Sequence, residues 1–383
     1  MRLVAPKFLS IATAFMLLTS TAPSALSATV KAGAVCSKKG LIQNSSGKKY
    51  TCVLKGNKLV WNQGVAIKSA STPNPSPTIS ETAKNELPKF EPWATKFDYN
   101  VMVDVALQKT AEYFGKITPN DKYQIFTDPT IKKEDRELVG KVLSYANGMF
   151  TNSGFNERKV FLGATHEWGA KNLKANNLWI GDPKSPFPCS DGSRDAMCAQ
   201  GELILLIYSD IYSGKGGYGW DYGRISVPAH EYFHTVQASL SSENSLGNSN
   251  IEPTPLTLPV WLDEGTANFY GFFTTNNMGI VSYYTARNAQ ITNNPNYRSN
   301  LKLSSYYKRG NDESGNYLDP YGIGQAATEY IVASVGFKPI IDIYKNYKVT
   351  KNFPSAFQQA VGISIEDFYS KFEAARSSMR ITK

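Results

Sequence analysis

The first 80 residues contain neither Asp nor Glu, yet ten of the chain's 41 Lys and Arg lie there. The other 31 basic residues face all 32 acidic ones, so the net charge of +9 belongs to the N-terminal segment and the body is close to neutral. A neutral body lacks the basic face of a nucleic-acid-binding protein, which argues against that partner class. Cysteine is scarce, four in 383 residues, and neither neighbouring pair has the Cys-x2–4-Cys spacing of a thiolate zinc site. Beyond residue 18 no apolar run approaches the ~20 residues that cross a bilayer, so no transmembrane anchor is expected. No repeat of fixed period is visible. Histidine is the rarest of the chemically informative residues, with only three.

A hydrophobic fraction of 42% with 22 Tyr, 19 Phe and 6 Trp is that of a folded globular protein. The N-terminus carries Arg2 and Lys7, an apolar run from Phe8 to Leu18, and the small residues Ala25 to Ala28. That order reads as a signal peptide over residues 1–27, hence a secreted or cell-wall-associated protein. Four cysteines in an exported chain read as two disulfides, for which spacing allows three pairings. Local pairs are expected, Cys36 with Cys52 around a turn-rich segment and Cys189 with Cys198 around a polar loop. Residues 69–88, rich in Pro, Ser and Thr, read as a linker. They separate a small basic disulfide module, residues 28–68, from a body of residues 89–383.

In the module, Tyr50–Leu54 and Leu59–Trp61 read as strands around a turn at Lys55–Lys58. It resembles a small Cys-pair, Lys-Leu-Val-Trp module of exported actinobacterial proteins. Its charge makes an anionic cell-envelope polymer the expected partner, with a solvated charged face as the alternative. In the body, helical spacing runs over 101–114 and 134–150, and strand patterns over 122–126, 159–162 and 203–208; after Val227 the chain reads as mainly helical. Strands first and helices afterwards imply an α+β fold.

Two of the three histidines fall in His230-Glu231-Tyr232-Phe233-His234. Residues four apart share a helix face, so both imidazoles can reach one Zn²⁺ while Glu231 sits beside them as a general base. Pro228 suits the first turn of that helix. A catalytic zinc commonly needs a third protein ligand. Downstream stands Trp261-Leu262-Asp263-Glu264-Gly265-Thr266-Ala267, and with this pair of motifs the chain resembles the gluzincin metallopeptidases. The resemblance implies that Glu264 is the third ligand and that the body is a zincin-like catalytic domain.

Pro320-Tyr321-Gly322-Ile323-Gly324 is similar to the segment whose Tyr assists the transition state in aminopeptidase-type members, which points to Tyr321. The resemblance spans about residues 200–380. No Gly-x-Met-Glu-Asn segment, which holds the substrate amine in the aminopeptidase branch, is present, so an endopeptidase is favoured. Asn268 and Asp263 are candidates to orient a ligand histidine, and His166 reads as structural. The strand Leu203–Tyr208 is expected to be an edge strand that pairs with an extended peptide, and Gly214–Gly223 an aromatic, Gly-rich rim. The function these residues imply is zinc-dependent hydrolysis of peptide or protein substrates. A catalytically silent zinc-binding envelope protein, or a hydrolase of a non-peptide amide or ester, are the alternatives. The sequence leaves the oligomeric state open.

Overall fold

The computed structural model describes residues 31–36, 39, 42–45, 48–66, 89–150, 158–178, 196–207, 220–242, 256–293, 301–308, 310–311, 315 and 317–379. The expected signal peptide, the linker, Cys189 with its polar loop, and Gly214–Gly219 lie outside these residues. The chain divides into two compact units, Met1–Ser80 and Glu81–Lys383.

The first unit is an antiparallel sheet of β1 (Ile42–Ser45), β2 (Lys48–Lys55), β3 (Lys58–Trp61) and β4 (Val65–Ala66), in which β2 pairs with the other three. Gly56, at φ 61°, supplies the left-handed residue that the tight β2–β3 turn needs. Alternation along β2 turns Tyr50 and Cys52 to one side, where they bury with Cys36 and Trp61. So small a core holds little free energy, and the Cys36–Cys52 disulfide, closing a loop of 16 residues, adds about 3 kcal/mol by restricting the unfolded chain.

The second unit begins with α1 (Tyr99–Phe114), β5 (Tyr123–Thr127), α2 (Lys133–Gly148), β6 (Arg158–Gly163), α3 (His166–Ala175), β7 (Ala196–Gln200) and β8 (Leu203–Ile207). Its helical half follows: α4 (Trp220–Ser241), α5 (Val260–Asn277), α6 (Tyr283–Asn293), the short pair β9 (Gly310–Asn311) and β10 (Tyr317–Leu318), then α7 (Tyr321–Val335), α8 (Lys338–Thr350), α9 (Phe353–Val361) and α10 (Ile365–Ala375). Side-chain caps start several helices, Asp98 on α1, Thr165 on α3, Asn352 on α9 and Ser364 on α10, each accepting a backbone N–H of the first turn. The result is an α+β unit with a mixed sheet. Among the described residues, no helix is long and apolar enough to cross a membrane.

The sheet order is β5-β6-β8-β7, with the first three strands parallel and β7 antiparallel to β8. This overturns the expectation that the Leu203 strand lies at an edge: β8 is hydrogen-bonded on both sides, and among the described residues the edges are β5 and β7. Burial on both faces is why β8 reads as an unbroken apolar run. Phe161, Leu205 and Ile207 face α3 and pack with Leu173, whereas Val160, Leu162, Ile204 and Leu206 join the main core on the side of α4.

α4 begins eight residues before Pro228, so that proline stands inside the helix and not in its first turn. Trp220–Gly223, expected in a loop, are helical as well. Pro228 has no N–H to give the preceding turn, yet the helix continues through it to Ser241. Beyond it, α4 is buried on nearly all sides. Arg158 on β6 lies over the Tyr232 ring, 4.5 Å from its centroid, and its Nε donates to Thr235, so a buried cation clamps α4 to the sheet.

α5 is almost wholly buried and crosses α7 with backbone on backbone. A Cβ on Gly265 would lie 2.1 Å from the Gly324 carbonyl carbon, and one on Gly324 would lie 2.1 Å from the Trp261 oxygen. Only glycine permits that approach. A second tie joins α1, α6 and α7: the fully buried Glu329 accepts from Tyr99 (2.9 Å), Tyr283 (2.7 Å) and Arg287. Burial opposes the Arg287 charge, but Glu329 outweighs it and the guanidinium pKa is raised. The Glu329 carboxylate is satisfied by hydrogen bonds from several directions, which helps a buried ion pair to be tolerated, while Arg287 Nη2 has no hydrogen-bond partner among the described residues.

Candidate metal centre

One turn of α4 separates His230 from His234, and both rings point toward α5 from the same face. The turn is buried in its entirety: His230, Glu231 and His234 expose 7%, 6% and 8% of their surface, and Glu264 on α5 exposes 5%. The helix takes this path because Tyr232, Phe233 and Val236 fill the core behind it. Phe233 stacks on Tyr270 at 4.7 Å, and the Tyr232 hydroxyl donates to Asn147. Packing of α4 on α5 therefore brings the Glu264 carboxylate over the two imidazoles.

Three atoms converge. The Nε2 atoms of His230 and His234 are 3.0 Å apart, and Glu264 Oε2 lies 3.3 Å from the first and 3.4 Å from the second. His230, His234 and Glu264 form the group of metal-ligating residues among the described ones that can hold a metal ion. Two neutral imidazole nitrogens cannot face each other at 3.0 Å with lone pairs only; a hydrogen on one of them, or a cation between them, resolves the contact. Burial is the largest influence on His234 and works against its charge, but the Glu264 carboxylate by charge and hydrogen bond, Glu231 by charge, and Gln237 together raise its pKa to about 9. A proton there answers the negative charge that an ion would otherwise answer.

Behind the ligands is a polar group that the sequence reading missed. His234 Nδ1 contacts Gln237 Oε1 at 2.6 Å, and Gln237 Nε2 reaches the Asp263 carbonyl (2.9 Å), Thr266 Oγ1 (2.7 Å) and the Tyr344 hydroxyl (3.0 Å). The only sequence signal was spacing: Gln237 follows His234 by three residues, on the same helix face, and its complete burial is known from the structure alone. Asp263 takes part through its Oδ1, which accepts from Tyr344. Asn268 is buried, but its Nδ2 has no hydrogen-bond partner among the described residues; it is not what orients His234. His166 opens α3 and is not part of the ligand group.

Tyr321 begins α7, and its ring centroid is 6.0 Å from that of His230. The Gly265–Gly324 crossing is what places it there, one turn from the contact. The hydroxyl of Tyr283, another buried tyrosine, is committed to Glu329, to which it donates. The first unit carries Cys36–Cys52 as a disulfide, and Cys198 on β7 is also disulfide-bonded. Compared with family models, with curated proteins and with solved structures, the chain finds no match.

Proposed function

We propose that the second unit is a zinc peptidase of the gluzincin type, with a zincin-like catalytic domain, in an exported protein. The observation that carries this reading is the convergence of His230, His234 and Glu264 on one point with Glu231 in the same helical turn. Ligand atoms bound tetrahedrally at ~2.0–2.1 Å to a single Zn²⁺ stand about 3.3–3.4 Å apart. The separations here are 3.0, 3.3 and 3.4 Å. Two imidazoles and one carboxylate are also the donor set of catalytic zinc in several hydrolases.

Zinc supplies Lewis acidity, polarising a carbonyl and bringing the pKa of a water toward ~7. The protein's part is proton handling and orientation. Glu231 takes the proton of the attacking water and returns it to the amine as the C–N bond breaks. Tyr321 donates a hydrogen bond to the carbonyl oxygen as that oxygen becomes an anion. The base favours an enzyme over a silent binder, because a site that only retains metal has no use for Glu231. Incubation of zinc-loaded protein with a mixed peptide library, with cleavage sites read by mass spectrometry, tests the reading directly. Internal cleavage supports an endopeptidase; absence of any cleavage leaves a metal-binding protein or a hydrolase of other amides and esters.

Tyr321→Phe removes a contact made only in the transition state. The expected result is a fall of about 10²–10³ in kcat and in kcat/KM together, at full zinc occupancy. A fall smaller than about threefold assigns Tyr321 to packing.

For the first unit we propose attachment to an anionic envelope polymer. Lys31, Lys39, Lys48, Lys55 and Lys58 are exposed, and residues 28–68 hold no acidic side chain to oppose them. Binding of the full chain to anionic cell-wall polymer is expected at low salt and should weaken steadily as ionic strength rises, since screening shortens the reach of exposed charge to about 8 Å at 0.15 M. No binding at low salt removes the tether.

A further inference from the structure

We infer that Gln237 is a positioning residue that dictates which nitrogen of His234 faces the metal, an inference that rests on the metal centre proposed above. The reasoning runs from groups whose hydrogen-bonding sense has no choice. The Asp263 backbone carbonyl can only accept, so the Gln237 atom 2.9 Å away is the amide nitrogen and not the oxygen. The same end of the amide meets Thr266, whose hydroxyl donates to the Leu262 carbonyl and so has a lone pair to offer. It also meets Tyr344, whose hydroxyl donates to the Asp263 carboxylate and likewise presents a lone pair.

Three acceptors therefore surround one end of the amide, and its oxygen is turned toward His234. An amide oxygen can only accept. His234 Nδ1 must carry hydrogen, so in the neutral ring that binds metal the lone pair is on Nε2, which faces His230 Nε2 and Glu264 Oε2, where the ion would sit. Neutral imidazole offers one donor and one acceptor nitrogen, and the ion needs the acceptor. The Asp263 main chain thus sets the tautomer of a ligand on the neighbouring helix, in the residue next to the ligand Glu264. Every polar atom in the relay is buried, so water is not at hand to substitute for a missing member.

The test uses full-length protein with Zn²⁺ as the probe. Gln237→Met keeps the length and bulk of the side chain and removes the acceptor; zinc affinity, measured by chelator competition, is expected to fall about 10–100-fold. A structural role alone would lower the melting temperature of the metal-free protein and leave the affinity in place, so both are measured. With only three histidines, ¹⁵N-histidine labelling reports the tautomer itself. The zinc-loaded wild type should show hydrogen on His234 Nδ1, protected from solvent exchange, and that protection should vanish in Gln237→Met. Affinity within about threefold of wild type overturns the inference while leaving the metal centre standing; a wild type that takes up no zinc overturns both. Should the variant fail to fold, the wild-type spectrum still decides, since a hydrogen-free Nδ1 contradicts the relay.

Discussion

Glu231→Gln is expected to bind zinc as the wild type does and to hydrolyse peptides about 10²–10⁴-fold more slowly, the span that a positioned general base contributes. The amide has the shape of the carboxylate, so the buried turn of α4 that holds His230 and His234 has no reason to repack. What changes is chemistry: an amide cannot take the proton of a water or hand it to a departing amine. Loss should appear in kcat, because the proton is in transit only after substrate is bound. Zinc content measured beside the rate separates a missing base from a missing metal. Equal rates in variant and wild type would place the base elsewhere and remove the main argument for catalysis over silent binding.

Removal of a ligand has the second large effect. Wild-type protein should hold about one Zn²⁺ per chain, and His230→Ala or Glu264→Ala should lose most of it. Loss of a partner behind a ligand costs 10–100-fold in affinity, so loss of the ligand itself should exceed about 100-fold. The two variants differ in a further way. His230→Ala leaves the Glu264–His234 pair intact, whereas Glu264→Ala removes the leading influence that raises the His234 pKa, which should then return toward ordinary values. Changing the third histidine, His166, should leave metal content as it was. Unchanged zinc in His230→Ala would sink the ligand assignment.

Much of this was written in the sequence, and the part that was not has a common cause. Helices α1 and α2 and strands β5 and β6 follow from local sequence patterns and appear within a residue or two of where those patterns put them. The four-residue spacing of His230 and His234 is likewise local, and the packing that adds Glu264 brings together the group the motifs indicated. Strand order is not local. An apolar run such as Leu203–Ile207 looks the same whether it ends a sheet or lies within it, and only the return of Ala196–Gln200 along its side makes it interior. The start of α4 was misplaced because Pro228 resembles a first-turn proline, and the turns before it show no apolar periodicity. Gln237 went unread because a buried amide becomes meaningful only when its partners, contributed by α5 and α8, are known.

The glycine crossing of α5 on α7 constrains how the site can vary. Main-chain atoms touch there with no side chain between them, so the closest approach is set by atomic radii and has no residue whose size could adjust it. The contact adjoins Glu264 on one helix and lies one turn from Tyr321 on the other. It acts as a fulcrum of fixed height: repacking around the far end of α7 can swing Tyr321 along an arc, but cannot lengthen the arm that joins it to Glu264. Exchange of core side chains can therefore alter the angle at which Tyr321 approaches His230 more readily than its reach.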